Sequence, residues 1–317
     1  MVINVITTVQ PGYFTTVQDS GRWGYQAYGM PIAGAMDRYA MQVANLLTGN
    51  LPGAAVLEMT AEGAAFRFDQ EQLVAVCGAQ MQGRVNGEPV TNWSSFVVPK
   101  GGELRFESAA QGYRTYVAIR GGFAVPVVLG SRSTCTRARV GGYEGRTLRQ
   151  GDVLYVGEDC DFPAAAAQVG DAYIPAYTGA IILRVLLGPQ QAMFSREVIE
   201  KFFKSTYAVT NQIDRIGYWL KGPKVVHRDK ADIVSDAMWP GAIQIPSNGM
   251  PFIMMADHQT TGGFAKIGSV IGADLSKLAQ ARPGDTIRFS SIEEDEAIQA
   301  LQEEQRCYAV IKHTLFL

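Results

Sequence analysis

Residues 148–156, LRQGDVLYV, carry a pattern that decides how this chain is read: a tight turn with Gly151, an acidic residue, then apolar and polar positions in alternation. Glycine tolerates the backbone conformations that tight turns demand, and a period of two is what a half-buried strand requires. The same local shape stands at 99–106, PKGGELRF, and at 281–289, ARPGDTIRF. Three such launches predict a β protein, and their likeness suggests related barrel halves.

The surrounding segments agree. VINVITTV, QLVAVCG, YRTYVAIRGG, AIILRVLLG and FIMMA are short, rich in β-branched residues and bounded by Gly, Pro or Asn. That spacing predicts an all-β barrel or sandwich core rather than alternating βαβ units. Helices are expected in few places. Residues 36–50, MDRYAMQVANLLTGN, bring Met36, Ala40, Val43, Ala44 and Leu47 to one face, with Asn50 near the stop. In 195–203, SREVIEKFF, Ser195 can cap the helix and Glu197 suits its positive end. A short helix is expected over 273–280, ADLSKLAQ, and a solvated one over 293–305. Residues 160–180, rich in Ala and Pro without period, read as a connection between domains. The expected layout is therefore an N-terminal barrel domain over 1–160, a linker over 161–180, a C-terminal barrel domain over 181–290 and a helical tail over 291–317.

A chain of 317 residues can bury two cores. Its 28 Lys+Arg against 30 Asp+Glu give a net charge of -2 with no basic stripe, so nucleic acid is not an expected partner. Small molecules or protein surfaces are. Cys77, Cys135, Cys160 and Cys307 form no CxxC pair and read as buried free thiols in a reducing compartment. With neither a signal-like leader nor an apolar run long enough to span a bilayer, no membrane association is expected and the cytoplasm is the expected location. The chain carries no Walker phosphate loop, GxGxxG, GxSxG or HExxH. His227, His258 and His313 are too scattered for a helix-borne metal site, so no metal ligands are assigned. Any chemistry has to be assembled from loops.

Three loops stand out. Residues 17–37 hold Gln18, Asp19, Arg22 and Asp37 among glycines. A connection of about twenty residues is more often functional than idle, and Arg22 offers a planar fork for a carboxylate or phosphate. The bland account has Asp37 capping the next helix and Arg22 pairing with Asp19. In 211–222, NQIDRIGYWLKG, Asp214 and Arg215 read as a binding pair or as a capped turn with a solvated arginine. The third loop, 256–268, is ADHQTTGGFAKIG, a polar interruption between apolar segments. Asp257 and His258 offer an acid/base pair, and Gln259, Thr260, Thr261, Gly262 and Gly263 offer hydrogen-bonding groups and amides to an anion. Lys266 offers positive charge. The alternative is a polar hairpin whose side chains bond their own turn. As a surface residue, Lys266 is expected to be removable without opening a core cavity.

Taken together, TTVQDSGRWGYQAYGMPIAGAMDRYAMQVANLLTGN, GAAVLEMT, RVLLGPQ, NQIDRIGYWLKG and the run from PGAIQIPSNG to PGDTIRF resemble the allophanate hydrolase subunit 2 family. That family includes the C component of bacterial 5-oxoprolinase, an antagonist of a sporulation-kinase inhibitor, and the carboxyltransferase part of urea carboxylase. The resemblance implies a mainly β fold of tandem cyclophilin-like barrels with a few short helices. It also implies separate partners: a smaller cyclophilin-like B component and a metal-dependent A component. The expected reaction is ATP-dependent opening of 5-oxoproline to L-glutamate, with ATP and Mg²⁺ shared with the partners. Biotin is not expected, because the biotin modules of the urea carboxylase branch are absent from these residues. The other readings are a regulatory protein that sequesters a histidine-kinase inhibitor, and a carboxyltransferase component acting on urea or a related amide. Lys266, Asp257 and Arg22 are the expected catalytic residues; Gln18, Asp19, Asp37, Asp214, Arg215, Gln259, Thr260, Thr261, Gly262 and Gly263 are expected to bind substrate. The family often has Arg where this chain has His258, so His258 is left out of that set.

Overall fold

The computed structural model describes residues 4–158 and 165–315. Cys160 and positions 161–164 of the expected linker lie outside the described residues. The chain is mainly β and divides into two compact units. Unit 1 comprises Met1–Trp23, Ala33–Tyr177 and Arg306–Leu317, and unit 2 comprises Gly24–Ile32 and Thr178–Gln305.

Unit 1 runs β1 (Val5–Gln10), β2 (Phe14–Gln18), α1 (Arg38–Leu47), β3 (Val56–Thr60), β4 (Ala65–Phe68), β5 (Gln72–Val85), β6 (Glu88–Pro89), β7 (Ser94–Val98), β8 (Glu103–Ile119) and β9 (Val153–Tyr155). Its strands form one nine-stranded sheet in the order β2-β3-β8-β4-β1-β9, with β5 pairing β6, β7 and β8. Where β3, the first half of β5 and the second half of β8 run together, both faces of the sheet are buried, whereas β1, β9 and the first half of β8 alternate buried with half-buried or exposed positions. Val74, Val76, Val117 and Ile119 enter one core with Leu57, Met59 and Phe66. Their neighbours Ala75, Cys77, Tyr116 and Ala118 face the opposite way, against Ala40, Val43, Ala44 and Leu47 of α1. The period-two pleat makes that division. Cys77 and Cys135 are buried free thiols, and Cys307 is half-buried.

Unit 2 runs β10 (Ala180–Leu187), α2 (Arg196–Lys204), β11 (Thr206–Ile213), β12 (Gly217–Lys221), β13 (Asp232–Ala237), β14 (Ala242–Gln244), β15 (Phe252–Met254), β16 (Thr261–Phe264), β17 (Lys266–Val270), α3 (Gly272–Ala279) and β18 (Thr286–Ser291). The helix α4 spans Glu294–Leu315. Seven strands close a barrel in the order β10-β17-β14-β15-β12-β11-β18, and β13 and β16 form a separate two-stranded ribbon. The closing pair, β10 with β18, is parallel. Ser195 caps α2 by accepting from the Val198 amide at 3.3 Å, and α2 seats Phe202 in a stack on Phe289 with ring centres 4.5 Å apart. The tail helix is longer than 293–305 and less solvated than its composition predicts, because Ala297 and Ile311 are buried. No helix among the described residues is long and apolar enough to cross a membrane.

The three turn-then-strand stretches share one geometry. Gly101, Gly151 and Gly284 have φ of 74°, 86° and 94°. A Cβ at each would meet nothing within 4 Å, so the backbone angle and not space requires glycine. Their amides donate to Phe68, Thr8 and Val209 carbonyls at 2.8, 2.8 and 2.9 Å, and each starts a strand, β8, β9 or β18. Asp152 and Asp285 additionally accept from the amides of Arg149 and Arg282 at 2.7 and 2.8 Å.

Residues 256–268 are not a single polar loop. Thr261–Phe264 pairs with β13, and Lys266–Val270 is a barrel strand.

Candidate functional site

Lys266 opens β17 and its side chain is fully buried. Its Nζ donates to Asp236 Oδ2 at 2.7 Å and to the Ala237 carbonyl at 3.2 Å. It also sits 5.1 Å from the centre of the Trp239 ring, a cation–π distance. Gln190 ties both partners together: its Nε2 donates to Asp236 Oδ2 at 3.3 Å and its Oε1 accepts from the Lys266 amide at 3.3 Å. Trp239 is fixed by its indole N–H on Ser269 Oγ at 2.8 Å. Gln244, also buried, donates to the Phe264 carbonyl at 3.3 Å. A Cβ on Gly262 would stand 2.5 Å from Gln244 Nε2, so the ribbon strand β16 passes directly over that amide.

A buried ammonium is costly unless paired. Here its partner carboxylate is 46% exposed, so the pair has one dry end and one wet end. The hydrogen bond from Lys266 holds the Asp236 carboxyl below the usual carboxylate range, with the Ala237 amide adding to the effect. An anionic ligand group competing with Asp236 would meet a pre-set cation, an amide side chain and an indole wall. That arrangement suits recognition of a carboxylate or stabilisation of a developing oxyanion.

Asp257 and Arg215 form a second polar cluster of unit 2, both nearly fully buried. Arg215 donates from Nε to Asp257 Oδ2 at 3.1 Å and from Nη2 to Oδ1 at 3.0 Å, while the Asp257 amide donates to the Arg215 carbonyl at 2.8 Å. Arg215 is thus not the solvated residue its turn predicts. Asp214 is exposed and folds back on its own turn, accepting from the Ile216 and Gly217 amides at 2.7 and 3.1 Å. His258 is buried beside the pair, with Nδ1 2.6 Å from the Gln259 carbonyl and, among the described residues, no hydrogen-bond partner at Nε2. Burial lowers its pKa below the ordinary imidazole value. The Thr260 carbonyl accepts from the Met238 amide, and Thr261 and Gly262 stand opposite Ala237 and Asp236 in the ribbon. The amides of Gly262 and Gly263 therefore lie along a strand instead of converging on one point.

In unit 1 the polar residues of 17–37 are spent on the scaffold. Arg22 is fully buried and donates to the carbonyls of Val128 and Ser133 at 3.2 and 2.7 Å, so in place of an open anion fork it pins a neighbouring segment. Asp19, instead of pairing with Arg22, accepts from the Gly21 amide at 2.8 Å, from Ser131 Oγ at 2.7 Å and from Ser133 Oγ. Gln18 donates to Thr16 Oγ1 and to the Thr134 carbonyl. Asp37 caps α1, accepting from the Ala40 amide at 3.0 Å, and its own amide donates to the Tyr116 hydroxyl at 2.7 Å. That hydroxyl donates to Glu58 Oε2 at 2.8 Å, and Arg114 lies 3.9 Å from Glu58 Oε1. Burial, then the charges of Glu58 and Asp37, raise the Tyr116 phenol well above its ordinary value; burial raises the Cys77 thiol likewise. Neither is poised to ionise near neutrality.

Residues 28–291 match the family described as the carboxyltransferase domain, subdomains A and B. The chain belongs to this carboxyltransferase family. It is 34% identical over 306 residues to the C component of 5-oxoprolinase from Escherichia coli, covering 96% of both chains. It is also 34% identical over 282 residues to the C component of 5-oxoprolinase from Haemophilus influenzae, covering 89% of each. Among solved structures, the urea carboxylase of Kluyveromyces lactis superposes with a TM-score of 0.92 at 30% identity over 99% of this chain. This chain spans only 30% of that protein.

For this carboxyltransferase-family chain, the loops singled out in the sequence supply Lys266 but not the residues around it. Gln190, Asp236, Trp239 and Gln244 come from four other places and had no local signal. Glu58 did have one: a charge inside the otherwise apolar strand VLEMT has to find a buried partner.

Proposed function

We propose that this chain is the C component of an ATP-dependent 5-oxoprolinase, which opens 5-oxoproline to L-glutamate together with a smaller related protein and a metal-dependent one. The observation that carries this reading is the coverage. Two relatives named as this component of 5-oxoprolinase align along nearly their whole lengths, whereas the chain is a small part of the urea carboxylase it superposes on. In this reading the Lys266 side chain, paired with Asp236, holds the substrate carboxylate or the oxygen on which charge develops. Trp239 and Gln190 exclude water and fix its direction. ATP with Mg²⁺ supplies the drive for breaking a resonance-stabilised lactam. The Lys266 cluster itself does not fit that group, since a single ammonium faces a single carboxylate and, among the described residues, no three acidic, His or Cys side chains gather. In this reading ATP and Mg²⁺ are shared with the partner proteins.

The test is to combine the chain with its two partner proteins and follow glutamate release. Release that requires ATP, 5-oxoproline and all three proteins supports the reading, and 5-oxoproline should bind the complex more tightly than the isolated chain. Turnover by this chain alone, or none by the full complex, overturns it. The family's carboxyltransferase description favours one alternative, a component that moves a carboxyl group onto an amide, which the same complex would reveal as carboxybiotin-dependent consumption of urea.

A further inference from the structure

A cleft of about 570 Å³ lies in unit 1, lined by Arg139, Glu144, Gly145, Arg146, Thr147 and Arg149. The three arginines are not equivalent. Arg146 is committed: its Nη1 and Nη2 donate to Asp152 at 2.6 and 3.0 Å, Glu144 is 2.8 Å from Nη2, and the guanidinium lies 4.9 Å from the Tyr143 ring centre. Arg139 and Arg149 are exposed, and among the described residues no hydrogen bond or ion pair engages either guanidinium. With Glu144 in the lining and Asp152 behind Arg146, the three arginines leave one net positive charge here, in a chain whose overall charge is -2.

The backbone that presents these groups is held in a sparsely populated conformation. Arg139 and Glu144, neither of them glycine, both have φ of 54°, and Gly141, Gly142 and Gly145 between and beside them are also left-handed. Such strain persists only where the surroundings over-determine it, and it concentrates at ligand-holding sites. The bracing is visible. The Gly145 amide donates to the Gly141 carbonyl at 2.8 Å and the Gly142 amide to the Arg132 carbonyl at 3.0 Å. A Cβ on Gly145 would stand 2.3 Å from the Arg139 carbonyl carbon, so the two strained positions are locked against each other.

We propose that this cleft binds a phosphate-bearing small anion through the unengaged forks of Arg139 and Arg149. Arg146, held by Asp152 and Glu144, forms the wall between them, and Thr147 adds a hydroxyl. A phosphate group offers tetrahedrally disposed oxygens and more than one negative charge, which lets two guanidinium forks approach at once; a carboxylate satisfies one. The volume admits a diphosphate. This assignment stands independently of the reaction proposed above, and its test needs neither partner proteins nor turnover.

The experiment is calorimetric titration of the full chain with inorganic pyrophosphate, with ATP and succinate as competitors. Pyrophosphate should bind saturably and be displaced by ATP, whereas succinate should not displace it. The doubly substituted Arg139→Gln, Arg149→Gln chain should lose about tenfold or more in affinity, with an unchanged melting temperature because both side chains are exposed. Glu144→Gln, which removes the one opposing charge of the lining, should tighten binding. Absence of saturable binding, equal affinity in the double variant, or displacement by succinate as readily as by ATP would each overturn the proposal. Should the double variant melt early, the single variants Arg139→Gln and Arg149→Gln decide the matter on the same criteria.

Discussion

Lys266→Met separates the charge of Lys266 from its volume. The side chain is fully buried, so truncation to alanine would strip about four methylene-sized groups from a packed strand and cost about 2–5 kcal/mol through the cavity alone. The surface-loop expectation, in which removal leaves stability untouched, fails for that reason. Methionine keeps the length and apolar bulk of the stem while deleting the ammonium. It also removes the desolvation cost of a buried charge, so the change should stay within about 1.5 kcal/mol of the parent. Asp236 is free to hydrate because its carboxylate is already about half in solvent. If the ammonium stabilises a developing anion, its loss raises the barrier by about 2.7–4 kcal/mol, a hundredfold or greater fall in turnover. The assay is ATP- and 5-oxoproline-dependent glutamate release by the reconstituted complex, beside thermal melting of the isolated chain. Full turnover in Lys266→Met, with Lys266→Ala inactive only because it unfolds, would show that the ammonium is structural and refute the argument.

The remaining expectations concern the scaffold. Asp257→Ala leaves Arg215 buried without its carboxylate and should destabilise unit 2 by about 3–5 kcal/mol, read from urea unfolding; a loss below about 1 kcal/mol would mean the pair contributes little. Burial lowers the folded pKa of His258 below its ordinary 6.5, so as pH falls the unfolded chain takes up the proton first. Stability from keeping His258 neutral is therefore complete above about pH 6.5 and is lost progressively below it; His258→Gln should flatten the melting profile between about pH 7 and 5, and an unaltered profile would place the proton elsewhere. Gly284→Ala should cost about 1–2 kcal/mol although no atom obstructs the new methyl, because the penalty lies in a φ of 94°; an unchanged melting temperature would count against that account.

Those turns were legible because the determinants of their backbone angle are local. Gly101, Gly151 and Gly284 supply the backbone angle, Asp152 and Asp285 close two of the three turns, and the alternation behind them carries the strand. The α1 helix was equally open to reading, with Asp37 capping it and the apolar face spaced for one side of a helix. The polar residues were not. Asp257 is satisfied by Arg215, 42 positions away, Lys266 by Asp236, 30 away, and Asp274 by Arg184, 90 away. A polar run looks like a loop whether its groups face water or partners brought in by the barrel, and local sequence does not distinguish the two. Residues 256–268 mixed both cases, with Thr261 exposed at the start of a ribbon strand and Lys266 fully buried a few positions later.

Exposure of the partner, more than the identity of the charged residue, separates the candidates. Arg22 donates to the Ser133 carbonyl, Asp19 accepts from the Ser131 and Ser133 hydroxyls, and Asp37 accepts from the Ala40 amide; those partners are themselves buried, so a ligand would have to dismantle the fold to replace them. The Arg215–Asp257 pair is closed on both sides, with 6% and 3% of the side chains exposed. Lys266 alone among the expected catalytic residues has a buried charge whose partner reaches solvent, since Asp236 is 46% exposed. Displacing a hydrated carboxylate from an ammonium exchanges one charge-assisted hydrogen bond for another, a step of low net cost, whereas opening an enclosed pair leaves a buried charge behind at about 3–5 kcal/mol. That difference is why the Lys266 cluster, and not the conspicuous arginine of the glycine-rich loop, is the place where an anionic substrate can be taken up without unfolding its own binding site.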